Sequence, residues 1–180
     1  MSGASRVIKT RDLAETALLV GIGFLLHAFF PSIVLGMKPD FSLAMLFIVL
    51  IVKRDFRLGF IAALATGIFT ALTTSFPGGQ YANLIDKLVT FILVSALISF
   101  IGDRLDKRVA VGIITVVGTI ISGSVFLGSA ALIAGLPGSF KVLFYTVVLP
   151  AAAINTVTAI IIYLAFSYSR KTVGVRSKEA

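Results

Sequence analysis

Long apolar stretches separated by short polar segments occupy most of the chain from residue 13 onward. Six such stretches extend over residues 13–35, 40–52, 57–74, 86–102, 109–134 and 142–168. None alternates apolar and polar positions as a barrel strand does, and a backbone in lipid must satisfy its own hydrogen bonds. The pattern therefore predicts an all-α integral membrane protein with six transmembrane helices.

The composition supports a multi-pass membrane protein. Hydrophobic residues make up 58% of the chain and charged residues 13%, and the mean hydropathy is +1.05, whereas about a quarter of the residues in soluble domains are charged. The 180 residues accommodate roughly six spans of about 20 residues each. We expect a single six-helix domain over residues 1–180.

The basic start of the chain resembles a secretory signal peptide, because Arg6, Lys9 and Arg11 precede an apolar run. Asp12 and Glu15 interrupt that resemblance, and no cleavage site of small residues follows. The sequence thus predicts an uncleaved first helix.

The basic residues are distributed unevenly among the segments between helices. If the N-terminus is cytoplasmic, 13 of the 16 Lys and Arg residues fall in inner segments, and only Lys38, Lys87 and Lys141 fall in outer ones. Cytoplasmic segments of membrane proteins carry such an excess of positive charge. We therefore expect both termini to be cytoplasmic, in a bacterial-type cell membrane.

Several functions are excluded by what the sequence contains. The formal charge of +8 is concentrated at the ends of apolar runs, which is typical of bilayer orientation and not of nucleic-acid binding. With no Cys and one His, we expect no metal site and no cofactor. No G-x-x-x-x-G-K-[ST] loop is present, so the chain does not use ATP by that route.

Two polar stretches stand out among the predicted outer segments, Gly36 to Asp40 and Thr74 to Thr90. Asp40 is 13 residues from Lys53, or roughly 20 Å along a helix, which is less than the roughly 30 Å of a hydrocarbon core. Asp86 is expected near the outer boundary. Charges at such depths usually face a protein interior or an aqueous cavity. We expect both stretches to fold inward over one hollow.

This combination of acids, bases and amides matches a small zwitterion. Ammonium groups and amides bind a carboxylate, and carboxylates bind an amine. The alternative is that Lys38 with Asp40, and Asp86 with Lys87, form structural ion pairs while the glycines only turn a loop. The candidate site residues are Lys38, Asp40, Phe76, Gly78, Gly79, Gln80, Asn83, Asp86 and Lys87.

Other positions suggest a helix face or a cavity wall. Ala14, Ala17 and Gly21 form a smooth face on the first helix, suited to a partner helix inside or outside the molecule. Pro150 and Asn155 in the last helix are further candidates for lining a cavity. The basic segment 169–180 is expected to be a solvated tail.

These features resemble a known family. The segments Phe30-Pro-Ser-Ile-Val-Leu-Gly-Met-Lys-Pro-Asp-Phe41, Thr74-Ser-Phe-Pro-Gly-Gly-Gln80 and Asn83-Leu-Ile-Asp-Lys87 are similar to the tryptophan transporter family, which is grouped with the substrate-binding S components of energy-coupling factor (ECF) transporters. The resemblance covers most of the chain. It implies a subunit that is not itself an enzyme and that docks on a transmembrane coupling protein with two cytoplasmic ATPases.

The resemblance also implies roles for the candidate residues. The substrate is occluded by the loops after helices 1 and 3, around Lys38 and Gln80, and the face of Ala14, Ala17 and Gly21 contacts the coupling protein. For tryptophan, the polar residues would hold the charged end while Phe30, Phe76 and Tyr81 stack on the ring. The alternatives are an S component for another small molecule, such as a vitamin, and a stand-alone channel or ion-coupled carrier.

Overall fold

The computed structural model describes residues 8–32, 37–101 and 104–179, with side chains as far as residue 172. These residues form six helices: α1 (Thr10–Phe29), α2 (Phe41–Lys53), α3 (Phe56–Thr73), α4 (Gly79–Ile101), α5 (Lys107–Ile133) and α6. Helix α6 begins as α-helix at Phe140–Leu143, passes through one π-helical turn at Phe144–Val148, and continues as α-helix over Leu149–Glu179.

Polar residues at the helix starts explain several of these boundaries. The side chains of Asp40, Asp55, Asp106 and Ser139 accept hydrogen bonds from backbone N–H groups in the first turns of α2, α3, α5 and α6. Such caps satisfy N–H groups that have no partner within the helix. Helix α2 ends at Lys53, and the C-cap residue Arg54 has a left-handed backbone with φ 48°.

Helix α2 is the core of the bundle. Every residue from Phe41 to Ile51 is buried, and α2 contacts all five other helices. The remaining helices surround it in the order α1, α3, α4, α5 and α6. Because protein shields α2 on all sides, its 13 residues need not cross the bilayer unaided. The other five helices of the described chain are long and apolar enough to span a membrane.

Glycines permit the closest approaches to α2. A Cβ added at Gly118 of α5 would lie 2.5 Å from the Phe47 ring, and one at Gly23 of α1 would lie 2.8 Å from the Ser42 backbone. Small residues allow such contact between membrane helices, where lipid provides no hydrophobic driving force. Gly118 therefore permits close packing of α5 against α2.

Three predicted boundaries were wrong. The first segment was predicted to reach residue 35, but α1 ends at Phe29, and Phe30 is extended because Pro31 follows it; residues 33–36 lie outside the described chain. The fourth helix was predicted to begin at residue 86 and begins at Gly79. The sixth helix was predicted to end at residue 168, yet α6 continues to Glu179.

The late prediction for α4 has a physical cause. Its buried positions include Gly79, Asn83, Asp86, Lys87 and Thr90. Their spacing places them on one helical face toward the protein interior, so polar side chains replace the apolar ones by which hydropathy detects a span. Residues 79–85, which were assigned to an outer loop, belong to the first two turns of this helix.

Ion pairs join the helices at the end of the bundle opposite Asp40. The side chain of Lys53 at the end of α2 is buried, and its Nζ lies 2.7 Å from Asp12 and also contacts Glu15. Glu15 bonds Arg11 at 2.9 Å and lies 3.6 Å from Arg170 of α6. We call this end the basic end. Its ion pairs connect α1, α2 and α6.

Candidate functional site

A cavity lies at the end of the bundle opposite the basic end. Its mouth is marked by the partly or fully exposed residues Lys38, Thr74 and Ser75. All six helices or their adjoining loops contribute to its walls. The lining residues are His27, Met37, Lys38, Asp40, Leu43, Thr74, Ser75, Phe76, Asn83, Asp86, Lys87, Thr119, Ser122, Gly123, Phe126, Val147, Val148, Ala151 and Asn155.

Three charged side chains form the polar centre of this cavity: Asp86 and Lys87 are buried, and Asp40 is partly buried. Lys87 of α4 is 1% exposed, and its Nζ lies 2.7 Å from Asp40 Oδ2 and also contacts the Asp86 carboxylate. Because α4 begins at Gly79, Asp86 and Lys87 both belong to this helix, and both are buried on its inward-facing side. We call Asp40, Asp86 and Lys87 the ion triad.

Hydrogen bonds fix the two carboxylates of the ion triad. Asp86 accepts hydrogen bonds from Thr90 Oγ1 at 2.9 Å and from Ser122 Oγ of α5 at 2.8 Å. Asp40 Oδ1 accepts the backbone N–H of Leu43 at 3.0 Å. A buried charge is tolerated when it is paired and hydrogen-bonded in this way. The triad is therefore held rigidly by α2, α4 and α5.

The ion triad retains bonding capacity for a ligand. An ammonium group has three N–H donors, and Lys87 directs them to two acceptors among the described residues, Asp40 and Asp86. Each carboxylate offers about four lone-pair positions. The arrangement can thus present both a donor and acceptors to a zwitterion.

His27 connects α1 to the segment that precedes α2. Its Nδ1 lies 3.2 Å from the carbonyl oxygen of Pro39, which only accepts hydrogen bonds, so Nδ1 carries the hydrogen. The same nitrogen is 3.7 Å from Asp40 Oδ1. The buried imidazole therefore positions the backbone beside Asp40.

Lys38 supplies a second cation at the cavity mouth. Partial burial lowers the pKa of its amino group below the usual 10.5, and the charge of Asp40 opposes that change. Among the described residues, no carboxylate lies within ion-pair distance of Lys38. With Lys38 included, two formal positive charges balance the carboxylates of Asp40 and Asp86, which suits a ligand with no net charge.

The apolar part of the cavity contains two aromatic rings. Phe76 is buried and packs edge-on against Phe126 of α5, with ring centroids 5.3 Å apart. Val147 and Val148, in the π-helical turn of α6, and Ala151 complete this wall. Aromatic rings and aliphatic side chains of this kind favour a flat apolar group.

Two asparagines contribute amides to the lining. Asn83 donates from Nδ2 to the Gly79 carbonyl at 2.9 Å and to the Thr70 carbonyl at 3.4 Å. Asn155 of α6 is fully buried, and its Nδ2 lies 3.4 Å from Thr119 Oγ1. Its Oδ1 is buried with no hydrogen-bond partner in the described chain.

The structure brings together only part of the predicted set. Lys38, Asp40, Phe76, Asn83, Asp86 and Lys87 line the cavity. The five other residues for which substrate contact was predicted lie outside the lining: Phe30, Gly78, Gly79, Gln80 and Tyr81.

These outlying residues have other surroundings. Phe30 packs edge-on against Phe41, with centroids 5.0 Å apart, whereas Gln80 and Tyr81 are exposed. Gly78 has φ +68°, and a Cβ there would lie 2.3 Å from Ala134 Cβ. The turn before α4 therefore requires glycine at this position for backbone reasons.

The α5 wall was missed at the sequence level. Thr119, Ser122 and Phe126 line the cavity, but none of them is among the residues predicted to form the site. A signal was present, since Thr115, Thr119, Ser122 and Phe126 are spaced four, three and four residues apart. That spacing places them on one helical face.

The predicted partner face on α1 points away from the protein core. Ala14 and Ala17 are exposed, and nothing lies within 4 Å of a Cβ added at Gly21. The buried residues of α1, among them Leu19 and Gly23, lie on a different side. These small residues therefore do not serve packing within the described chain.

Comparison with known proteins assigns the chain to a family. The family model for the tryptophan transporter TrpP matches residues 9–171. No solved structure matches the chain significantly.

Curated relatives agree with this assignment. A "probable tryptophan transport protein" of Clostridium acetobutylicum is 45% identical over 163 residues, covering 91% of this chain and 95% of its own. Proteins with the same description from Clostridium perfringens and Bacillus subtilis are 41% and 46% identical to this chain. The matched regions cover 86% and 87% of this chain, respectively, and 90% of each relative. The chain therefore belongs to the tryptophan transporter TrpP family.

Proposed function

We propose that this protein is the substrate-binding S component of an ECF-type importer and captures tryptophan at the extracellular side of a bacterial cell membrane. The observation that carries the proposal is a cavity that combines the ion triad with an apolar wall. A charged end and a flat aromatic ring in one ligand correspond to these two parts. Membership of the tryptophan transporter family supports the choice of ligand.

In this proposal, the charged end of tryptophan sits at the ion triad. The remaining N–H of Lys87 and the ammonium of Lys38 bind the carboxylate, and Asp40 and Asp86 accept hydrogen bonds from the amine. Charge-assisted bonds of this kind are roughly twice as strong as neutral ones. The ring lies against the apolar wall of the cavity, beside Val148 and Ala151 of α6. No bond in the substrate changes, so the chain acts as a binding subunit and not as an enzyme.

The energy for uptake comes from separate subunits in this account. ATP is hydrolysed by two cytoplasmic ATPases, which act on the chain through a transmembrane coupling protein. The exposed small-residue face of Ala14, Ala17 and Gly21 supports docking on such a helix-rich partner, because it permits close helix contact. Both chain termini and the basic end lie on the cytoplasmic side, which agrees with the excess of Lys and Arg there.

Bulky substitutions on the α1 face test this proposal. Ala17→Phe and Gly21→Phe should leave tryptophan binding by the isolated chain unchanged and abolish ATP-dependent uptake by the assembled complex. Ala165→Phe is the matched control, because Ala165 is also exposed but lies on α6; it should leave uptake intact. Uptake by the lone wild-type chain in liposomes, driven by an ion gradient and indifferent to ATP, would instead indicate a stand-alone carrier.

A further inference from the structure

The buried amide of Asn155 has an unused acceptor in the cavity wall. Its side chain is 0% exposed, and its Oδ1 has no hydrogen-bond partner in the described chain. Leaving a buried carbonyl unpaired is unfavourable, and most such atoms in native proteins are bonded. An acceptor of this kind in a binding cavity is satisfied when a ligand brings a donor.

Asn155 differs from the other unpaired polar groups of the described chain. Those are the hydroxyls of Thr16, Ser42, Thr66 and Thr115, and none of them lines the cavity. Asn155 alone in this group combines an unpaired polar atom with a position in the cavity wall. Thr119 lies beside this amide, with its hydroxyl oxygen 3.4 Å from Asn155 Nδ2.

The position of Asn155 relative to the ion triad follows from α5. Ser122 bonds Asp86, and Thr119 lies beside Asn155. Because Thr119 and Ser122 are three residues apart on one helical face, the two contacts are separated by roughly 4.5 Å along the α5 axis. An indole amino acid likewise carries its ring N–H a short distance from its amine. Ala151 of α6, a small residue one helical turn from Asn155, also lines the cavity.

We infer that Asn155 forms a subsite for the ring N–H of the substrate, with Oδ1 as the acceptor and Thr119 as the residue that positions the amide. This inference rests on the proposed function, and it adds a basis for selecting an aromatic amino acid that carries a ring donor. Phenylalanine and other rings without an N–H leave Oδ1 unpaired. A site with a buried polar group rejects analogues that lack its partner more strongly than an apolar pocket rejects a missing methylene.

The test compares two ligands of nearly equal shape on purified protein. Tryptophan carries the ring N–H, and 3-benzothienylalanine has a sulfur atom in its place. Wild-type protein should bind tryptophan roughly 10- to 100-fold more tightly. Asn155→Leu should reduce that ratio to within about threefold, mainly by weakening tryptophan binding. Thr115→Val is the matched control, because Thr115 has an unpaired buried hydroxyl away from the cavity; it should keep the wild-type ratio.

The outcomes separate this inference from the proposed function. Equal wild-type affinity for both ligands would overturn the Asn155 subsite while leaving tryptophan binding in place. A wild-type preference that persists in Asn155→Leu would also overturn it. If wild-type protein binds neither ligand, the proposed function fails together with the inference. Should Asn155→Leu not fold, Thr119→Val serves instead and should lower the ratio by a smaller factor, whereas an unchanged ratio would count against the inference.

Discussion

The Lys87 ammonium of α4 lies 2.7 Å from the carboxylate of Asp40, which also caps the first turn of α2. One ion pair therefore connects the central helix of the bundle to the polar face of a peripheral helix. The same pair lines the cavity, so its energetics affect both the fold and the ligand site. Substitutions can separate these two contributions.

Removing the cation of the ion triad should destabilise the protein. In Lys87→Met, Asp40 and Asp86 lose their shared buried partner, and breaking a buried ion pair typically costs about 3–5 kcal/mol. We expect a loss of that order in the free energy of unfolding, together with loss of tryptophan binding. Thermal unfolding and equilibrium binding in detergent measure the two effects. If Lys87→Met were as stable as wild type, the ion pairs of Lys87 with Asp40 and Asp86 would not be required for stability.

Neutralising the whole ion triad should uncouple stability from binding. Replacing a complete buried ion group by neutral residues is often neutral or stabilising, and Asn retains the helix-capping ability of Asp. The variant Asp40→Asn/Asp86→Asn/Lys87→Met should therefore regain most of the stability lost in Lys87→Met while failing to bind tryptophan. Wild-type affinity in this triple variant would show that the triad is solely structural.

Lys38 should make tryptophan binding sensitive to alkaline pH. Its ammonium is charged below its pKa, and partial burial lowers that pKa, so the positive charge facing a ligand carboxylate is lost as the pH rises through the lowered value. We expect affinity to fall over that range. Lys38→Arg should extend binding to higher pH, because a guanidinium stays protonated.

The pH profiles of tryptophan binding are compared between wild type and Lys38→Arg. The amine of tryptophan titrates equally in both experiments, so a difference between the profiles is due to residue 38. Lys141→Arg is the matched control, because Lys141 does not line the cavity. Identical profiles for wild type and Lys38→Arg would exclude Lys38 from carboxylate binding.

Two glycines of α5 should respond oppositely to alanine. Gly118→Ala places a methyl group 2.5 Å from the Phe47 ring, and such overpacking typically costs about 1–3 kcal/mol. Gly128→Ala meets no atom within 4 Å and should gain up to about 1 kcal/mol from helix propensity. Thermal unfolding of both variants measures the difference. Equal effects would contradict the close α2–α5 contact.

Cysteine labelling should reveal the orientation of the chain. The sequence has no cysteine, so single substitutions need no cysteine-free background. Gly138→Cys in the exposed loop between α5 and α6 should react with an impermeant maleimide on intact cells. Lys107→Cys, at the start of α5, should react only after the membrane is opened. The reverse pattern would place the cavity on the cytoplasmic side and contradict extracellular capture.

The architecture was largely predictable because lipid imposes simple rules. Six apolar stretches correspond to six helices, and the depth argument for Asp40 predicted a charge that faces a cavity, which Asp40 lines. The structure places Asp40 in contact with Lys87, as the expectation of inward-folding polar stretches requires. Pro31 explains the early end of α1, and its effect was available in the sequence.

Other parts of the site depend on information that a hydropathy reading discards. Hydropathy did not detect the start of α4 at Gly79, because the inward-facing residues of its first turns are polar. For the same reason, the hydropathy pattern assigned Gln80 to a loop. Ser122 contacts Asp86 only through the packing of α4 against α5. The spacing of hydroxyl residues in α5 indicates a polar face, but no local pattern identifies which helix faces it.

Equilibrium binding of tryptophan to the purified chain, without coupling protein, ATPases or ATP, tests the central claim most directly. The account predicts saturable binding of one tryptophan per chain, which vitamins do not displace and which Lys87→Met abolishes. The account would be contradicted if folded wild-type protein showed no saturable tryptophan binding. It would also be contradicted if a vitamin, and not tryptophan, displaced the ligand bound to the protein.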